Sequence, residues 1–234
     1  MVPALLAESG VVSQHHPLGA STGFMEGSRG DWPAMVSEAL ETSGWAVELA
    51  ALSEDELPGL EDFLSDRPEL PFAYLSIHAP VKHLRMPEAE LVRRLSRLAP
   101  VADAIVVHPD AMDDPRAYRP LGSSLVLENM DARKPAGRTV EELAPYFAAL
   151  PEAGLCLDVA HVLSVDPSMR EGERLLDAYA GRLRHLHVSS IDDRCRHLPL
   201  TIEHEARIEA GIPHRLWNAG DGEARIVQEL RQAR

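Results

Sequence analysis

The chain has 234 residues, 45% of them hydrophobic and 26% charged, with a net charge of −14, so a globular core is within reach and attraction to DNA, RNA or an anionic membrane is disfavoured. Only two cysteines occur, Cys156 and Cys195, which excludes a disulfide framework and suits a reducing cytoplasm. No apolar run reaches the length of a membrane span, and the opening MVPALLAESG lacks the basic region of a signal peptide.

In chain order, short aliphatic and β-branched runs predict strands at 10–14, 45–49, 72–77, 104–108, 124–128, 154–158, 184–188 and 212–217. Helical patterns lie between and after them at Trp32–Ser43, Glu54–Ser65, Pro87–Leu98, Pro115–Leu121, Thr139–Leu150, Met169–Tyr179, Ile202–Glu209 and Glu223–Gln232. Pro33, Pro87 and Pro115 stand near helix starts, where a missing amide costs little. Alternating strands and helices predict a parallel sheet. Eight such units predict one (β/α)8 TIM barrel over residues 1–234, compact or with irregular helices. The segment SQHHPLGASTGFMEGSRGDW, with His15 and His16, reads as an active-site loop after the first strand.

Ionisable residues end these runs. They are Glu48 in WAVELA, His78 in LSIHAP, His108 in AIVVHPD, Glu128 in LVLENMD, Asp158 and His161 in GLCLDVAHV, and His187 in LRHLHVSS. From Glu48 through His78, His108, Glu128 and Asp158 to His187 the intervals are 30, 30, 20, 30 and 29 residues, the length of one strand plus one helix. The C-terminal ends of barrel strands open on one face, so these side chains are expected to converge. Imidazole nitrogens and carboxylate oxygens suit a borderline divalent metal, zinc or manganese, in one to three ions. His78, His108, Glu128, Asp158, His161, His187 and His197 of IDDRCRHLPL are the expected ligands. Glu128 is also the best available acid/base carboxylate. His185 and His187 alternate and point the same way, His187 nearer the mouth. Four residues complete the candidate site: Asn129 orienting Glu128, Glu48 touching substrate or holding a loop, His16 in the first loop, and Arg133 facing a phosphate or carboxylate.

The ordered strings IHAP, VVHPD, LENMD, LDVAH and LHVSS, from roughly Glu48 to Leu200, together resemble the xylose-isomerase-like TIM-barrel superfamily, which includes sugar-phosphate isomerases, epimerases and endonuclease IV. The resemblance implies that His78 and His108 hold one metal, that Glu128 bridges, and that Asp158 and His187 hold a second. It implies that His161 and His197 serve a third ion, as in endonuclease IV. In those relatives a glutamate ends the eighth strand, whereas IPHRLWNAG offers Trp217 and Asn218 here, and Cys195 stands where endonuclease IV has an aspartate two residues before the loop histidine. The activity implied is a divalent-metal isomerase or epimerase acting on a small sugar, sugar phosphate or polyhydroxy compound. The alternatives are an endonuclease IV-like phosphodiester hydrolase and a metal-binding protein without catalysis. Duplex DNA fits the acidic charge poorly, and the oligomeric state is left open.

Overall fold

The computed structural model describes residues 19–66, 68–82, 84–198 and 225–228. Seven strands follow one another as β1 (Gly19–Ser21), β2 (Ala46–Ala50), β3 (Tyr74–His78), β4 (Ala104–Val107), β5 (Leu125–Glu128), β6 (Gly154–Asp158) and β7 (Leu183–Val188). A two-stranded hairpin, β8 (Ser190–Ile191) and β9 (His197–Leu198), precedes β10 (Arg225–Gln228). Strands β1 to β7 and β10 form a closed parallel barrel in which β10 lies between β7 and β1. The predicted α/β TIM barrel is therefore the observed fold.

Among the described residues, the helices outside the sheet are α1 (Trp32–Thr42), α2 (Leu57–Ser65), α3 (Glu88–Leu98), α4 (Val140–Ala149), α5 (Val159–Val165) and α6 (Arg170–Tyr179). Asp31 caps α1 by accepting from the Ala34 amide, and Thr139 caps α4 by accepting from the Glu142 amide. Between β4 and β5 only 3₁₀ turns occur, at Pro109–Ala111 and Pro115–Ser124. A 3₁₀ connection at the expected helix Pro115–Leu121 accounts for the short 20-residue interval in the sequence.

The two ends of the chain depart from expectation. The expected strand 10–14, the helix Ile202–Glu209 and the strand 212–217 lie outside the described residues, as does His16. The first barrel strand is Gly19–Ser21, inside the segment read as a loop, and a 3₁₀ turn at Thr22–Phe24 follows it. A Cβ on Gly19 would stand 2.6 Å from the Ala46 Cβ and carbonyl oxygen, so this strand approaches β2 through a glycine. The place given to 212–217 is held by Arg225–Gln228, a strand where the helix Glu223–Gln232 was expected. Trp217 and Asn218 lie outside the described residues. A four-residue run carries too little periodicity to separate strand from helix.

Alternation along each strand divides the buried side chains between two cores. Leu75, Ile77, Ile105, Val107, Leu125, Leu127, Leu155, Leu157 and Leu186 pack outward with the helices, while Ala46, Tyr74, Ala104, Val106, Val126 and Cys156 pack together as a second, smaller core. The residues of opposite parity to the helix-facing set include His78, Glu128, Asp158 and His187 at the strand ends. The apolar layer beneath them is the floor of the site. No helix among the described residues is long and apolar enough to cross a membrane.

Candidate metal centre

Strand register brings the expected residues together. Asp158 pairs with His187 across β6 and β7, Glu128 with Cys156 across β5 and β6, and Ala50 with His78 across β2 and β3. His108 immediately follows β4, and His161 sits in the first turn of α5, whose N-cap is Asp158. The Asp158 Oδ1 accepts from the His161 amide at 2.7 Å, so the DVAH spacing places a carboxylate and an imidazole on one helix start.

Glu128 is the hub. Its Oε2 lies 3.3 Å from His78 Nε2 and 3.1 Å from His108 Nε2, while its Oε1 lies 3.2 Å from His187 Nδ1 and 3.3 Å from His161 Nδ1. Asp158 Oδ2 stands 3.8 Å from His161 Nδ1 and 3.9 Å from His187 Nδ1, and His161 Nε2 meets His197 Nε2 at 3.1 Å. Among the described residues, the expected ligands fall into His78–His108–Glu128, Glu128–Asp158–His187 and Asp158–His161–His197, each with ligand atoms within 4.8 Å of one another, and Cys156, His185 and His187 form a fourth such group. Shared Glu128 and Asp158 link the first three groups into one chain of donors. All of the expected ligands thus lie in one place.

The hydrogen bonds around this cluster fit a cation. His78 Nδ1 donates to the Ala79 carbonyl at 2.9 Å, and His161 Nδ1 donates to the Asn129 carbonyl at 2.7 Å. A carbonyl only accepts, so a neutral imidazole in either position presents a bare Nε2 to the interior. That bare nitrogen faces Glu128 Oε2 in one case and another imidazole nitrogen in the other. Lone pairs set against lone pairs in a buried place require protons or a cation between them. His197 Nδ1 is tied to Ser189 Oγ at 2.6 Å, again leaving Nε2 toward the cluster. Imidazoles held by an outer partner with the other nitrogen inward are the arrangement of metal-bound histidine.

Burial and neighbouring charge shift the proton affinities of the cluster's own groups. Burial works against the Glu128 charge, but His187 and His108 hold its pKa well below the usual carboxylate range. Asp158 moves the other way, pushed up to about 7 by burial and by the Glu128 charge, against the pull of His197 and His187. Burial opposes a charge on His187, yet Cys156, Glu48 and Glu128 raise its pKa well above the ordinary histidine value. His108 is lowered, chiefly by burial. His78 is raised: burial opposes its charge, but its bond to Glu128 and the Glu48 charge prevail.

The outer residues are placed as follows. Glu48 lies on β2, with Oε2 3.0 Å from His187 Nε2 and Oε1 accepting from Ser21 Oγ at 2.8 Å. Burial opposes its charge too, but His187 holds its pKa down at about 2. Asn129 does not orient Glu128 as expected. Its side chain bonds the Asp158 backbone, donating to the carbonyl at 3.0 Å and accepting from the amide at 2.7 Å, so it locks β5 to β6. The Arg133 guanidinium is taken up by Asp131, with Nε 2.9 Å from Oδ1 and Nη2 2.9 Å from Oδ2. Ser21 and Ser189 were missed. Ser189 stands two residues beyond His187 in LHVSS, where strand alternation pointed to it; Ser21 was hidden in a segment read as loop. Cys156 is buried, and His185 lies deeper, with Nδ1 3.3 Å from Tyr74 Oη.

Among solved structures, the backbone is similar to endonuclease IV from Thermus thermophilus, at 20% identity and a TM-score of 0.54 over 85% of this chain and 87% of that one. The chain shares the TIM-barrel fold of such structures. A xylose isomerase-like TIM barrel protein from Mycobacterium smegmatis, solved in complex with magnesium, matches at 14% identity and a TM-score of 0.54 over 93% of this chain and 91% of that one. A xylose isomerase domain protein from Planctomyces limnophilus matches at 12% identity and a TM-score of 0.52, over 92% and 91%. No protein-family model and no curated protein matches the chain.

Proposed function

We propose that this barrel is a divalent-metal-dependent hydrolase acting on a phosphoester of a small molecule. The observation that carries the reading is the commitment of Glu128. Both of its oxygens face imidazole nitrogens, which suits a carboxylate that bridges two cations and leaves it poorly placed to shuttle a proton. The donor groups linked through Glu128 and Asp158 support more than one adjacent ion, as phosphoester chemistry uses. The nitrogen and oxygen donors favour zinc or manganese.

His78, His108 and Glu128 would hold one ion, Glu128, Asp158 and His187 a second, and Asp158, His161 and His197 a third. Such ions, when bound, polarise phosphoryl oxygens and lower the pKa of water. The protein's own part is positional. Glu48 and Ser21 fix the His187 ring, Asn129 fixes the Asp158 backbone, and the carbonyls of Ala79 and Asn129 fix two further imidazoles. The buried floor excludes water from below. A net charge of −14 disfavours a polyanionic duplex, so the substrate in this reading is a small phosphorylated molecule.

The test is hydrolysis of model phosphomonoesters, phosphodiesters and an abasic-site duplex by protein loaded with zinc or manganese. Turnover is expected with a small phosphoester, lost on chelation and in His108→Ala. A fully metal-loaded protein that hydrolyses nothing in the panel sinks the reading.

One observation favours a sugar isomerase or epimerase instead. Without an ion at Asp158, burial pushes its carboxyl up to about 7, so an Asp158 that held no metal would have the proton affinity of an acid/base at neutral pH. Incorporation of solvent deuterium into a sugar or sugar phosphate, lost in Asp158→Asn, would establish that chemistry.

A further inference from the structure

One ring departs from the pattern of tethered imidazoles. His108 Nδ1 is buried and has no hydrogen-bond partner, and the same is true of Asp110 Oδ1. These two atoms face each other at 3.8 Å. Asp110 lies in the 3₁₀ turn Pro109–Ala111, which starts directly from His108 and is closed by the Ala111 amide donating to the His108 carbonyl at 3.1 Å. Its other oxygen, Oδ2, accepts from Lys134 Nζ at 2.8 Å. One carboxylate oxygen is therefore anchored from outside the site, and the second is aimed at the ring.

The geometry points to Asp110 as the positioning residue for His108, with Lys134 as its anchor, in a relay from Lys134 through Asp110 and His108 to a bound cation. This assignment rests on reading His108 as a ligand through Nε2. His108 Nε2 lies 3.1 Å from Glu128 Oε2, so with no ion between them a neutral ring places its hydrogen there and leaves Nδ1 bare against Asp110. An ion bound at Nε2 displaces that hydrogen. The neutral ring then carries its proton on Nδ1, and the orphaned Asp110 oxygen accepts it as the 3.8 Å gap closes to hydrogen-bond distance. No net proton is gained or lost by the ring. Two buried groups that face each other without a bond become a donor and an acceptor, so ion binding and this contact reinforce one another.

Lys134 makes the idea testable. In Asp110→Asn the ammonium holds the amide oxygen, because Nζ only donates, and the amide N–H₂ then faces His108 Nδ1. A donor set against Nδ1 favours the hydrogen on Nε2, the tautomer that cannot bind metal through that nitrogen. Zinc affinity of the full chain, measured by chelator competition, is expected to fall about 10–100-fold in Asp110→Asn. Lys134→Met alone loosens the Asp110 carboxylate but leaves it in place, so it should lower affinity by less than Asp110→Asn does. Combined with Asp110→Asn, it frees the amide to turn its oxygen to the ring, and much of the loss should be recovered. A slowly exchanging His108 Nδ1–H resonance should also be present in the zinc-loaded wild type and absent in Asp110→Ala.

Asp110→Asn that binds zinc as tightly as wild type, or a loss that Lys134→Met does not relieve, overturns the assignment while the metal centre stands. A wild type that takes up no zinc overturns both. Asn is isosteric with Asp, so the test survives if Asp110→Ala does not fold.

Discussion

His161 and His197 meet nitrogen to nitrogen, Nε2 to Nε2 at 3.1 Å, with both outer nitrogens engaged by Asn129 and Ser189. His161 comes from the start of α5 and His197 from the hairpin after β7. They flank Asp158 in one of the donor groups.

Loss of His197 should therefore weaken one ion selectively. His197→Ala is expected to reduce tightly held zinc by about one equivalent relative to wild type, leaving ions at Glu128, with unfolding of the metal-free protein little changed. Elemental analysis after gel filtration checks this. Unchanged stoichiometry would remove His197 from the ligand set.

Metal uptake should expel protons. His187 is held well above the usual histidine pKa, and Asp158 is pushed up to about 7, so the metal-free site carries protons at neutral pH that an ion must displace. Affinity is expected to rise with pH through and above about pH 7. Calorimetric titrations in buffers of different ionisation enthalpy should show proton release, and buffer-independent heats would contradict it.

Asp158 should trade stability for binding. Its folded pKa lies above its unfolded value of 3.8, so its contribution to stability is fully present below that value and is lost as pH rises toward about 7. Above about pH 7 the metal-free wild type carries a buried charge that Asp158→Asn lacks. The variant is expected to be more stable there, by on the order of a few kcal/mol, and to take up less metal. A denaturation series from about pH 4 to about pH 8 without metal, showing no gain for Asp158→Asn at the upper end, would refute the sign.

Removing Glu48 strips His187 of a buried partner. Glu48→Ala is expected to destabilise the protein by about 3 kcal/mol, and Glu48→Gln, which can still accept from His187 Nε2, by less. Both should weaken zinc binding, by up to about 10–100-fold. Chemical unfolding and chelator competition separate the two effects, and an unchanged affinity in Glu48→Ala would show that it does not orient His187.

The strand cores and the imidazoles and carboxylates at their ends were legible because strand alternation and a repeating interval are local properties of the chain. Tyr74–His78, Leu125–Glu128 and Gly154–Asp158 fall within or next to the expected runs, and each ends on the residue picked out by its pattern. The end strands were not legible. Gly19–Ser21 has three residues and Arg225–Gln228 four, too few for a period to show, and each is strand only because a neighbour pairs with it. Asn129 was correctly placed beside the site but given the wrong task. Its partner Asp158 is 29 residues away, and sequence spacing cannot specify which backbone a side-chain amide will reach.

By itself the sequence determined a repeating strand-and-helix chain whose imidazoles and carboxylates gather at strand ends, because periodicity dictates which side chains share a face and which end of a strand they occupy. Tertiary structure alone decided how those groups are joined: Glu128 between four rings, Glu48 behind His187, and Asp110 opposite His108. Such pairings depend on strand register and barrel closure. These set distances to fractions of an ångström between residues far apart in the chain.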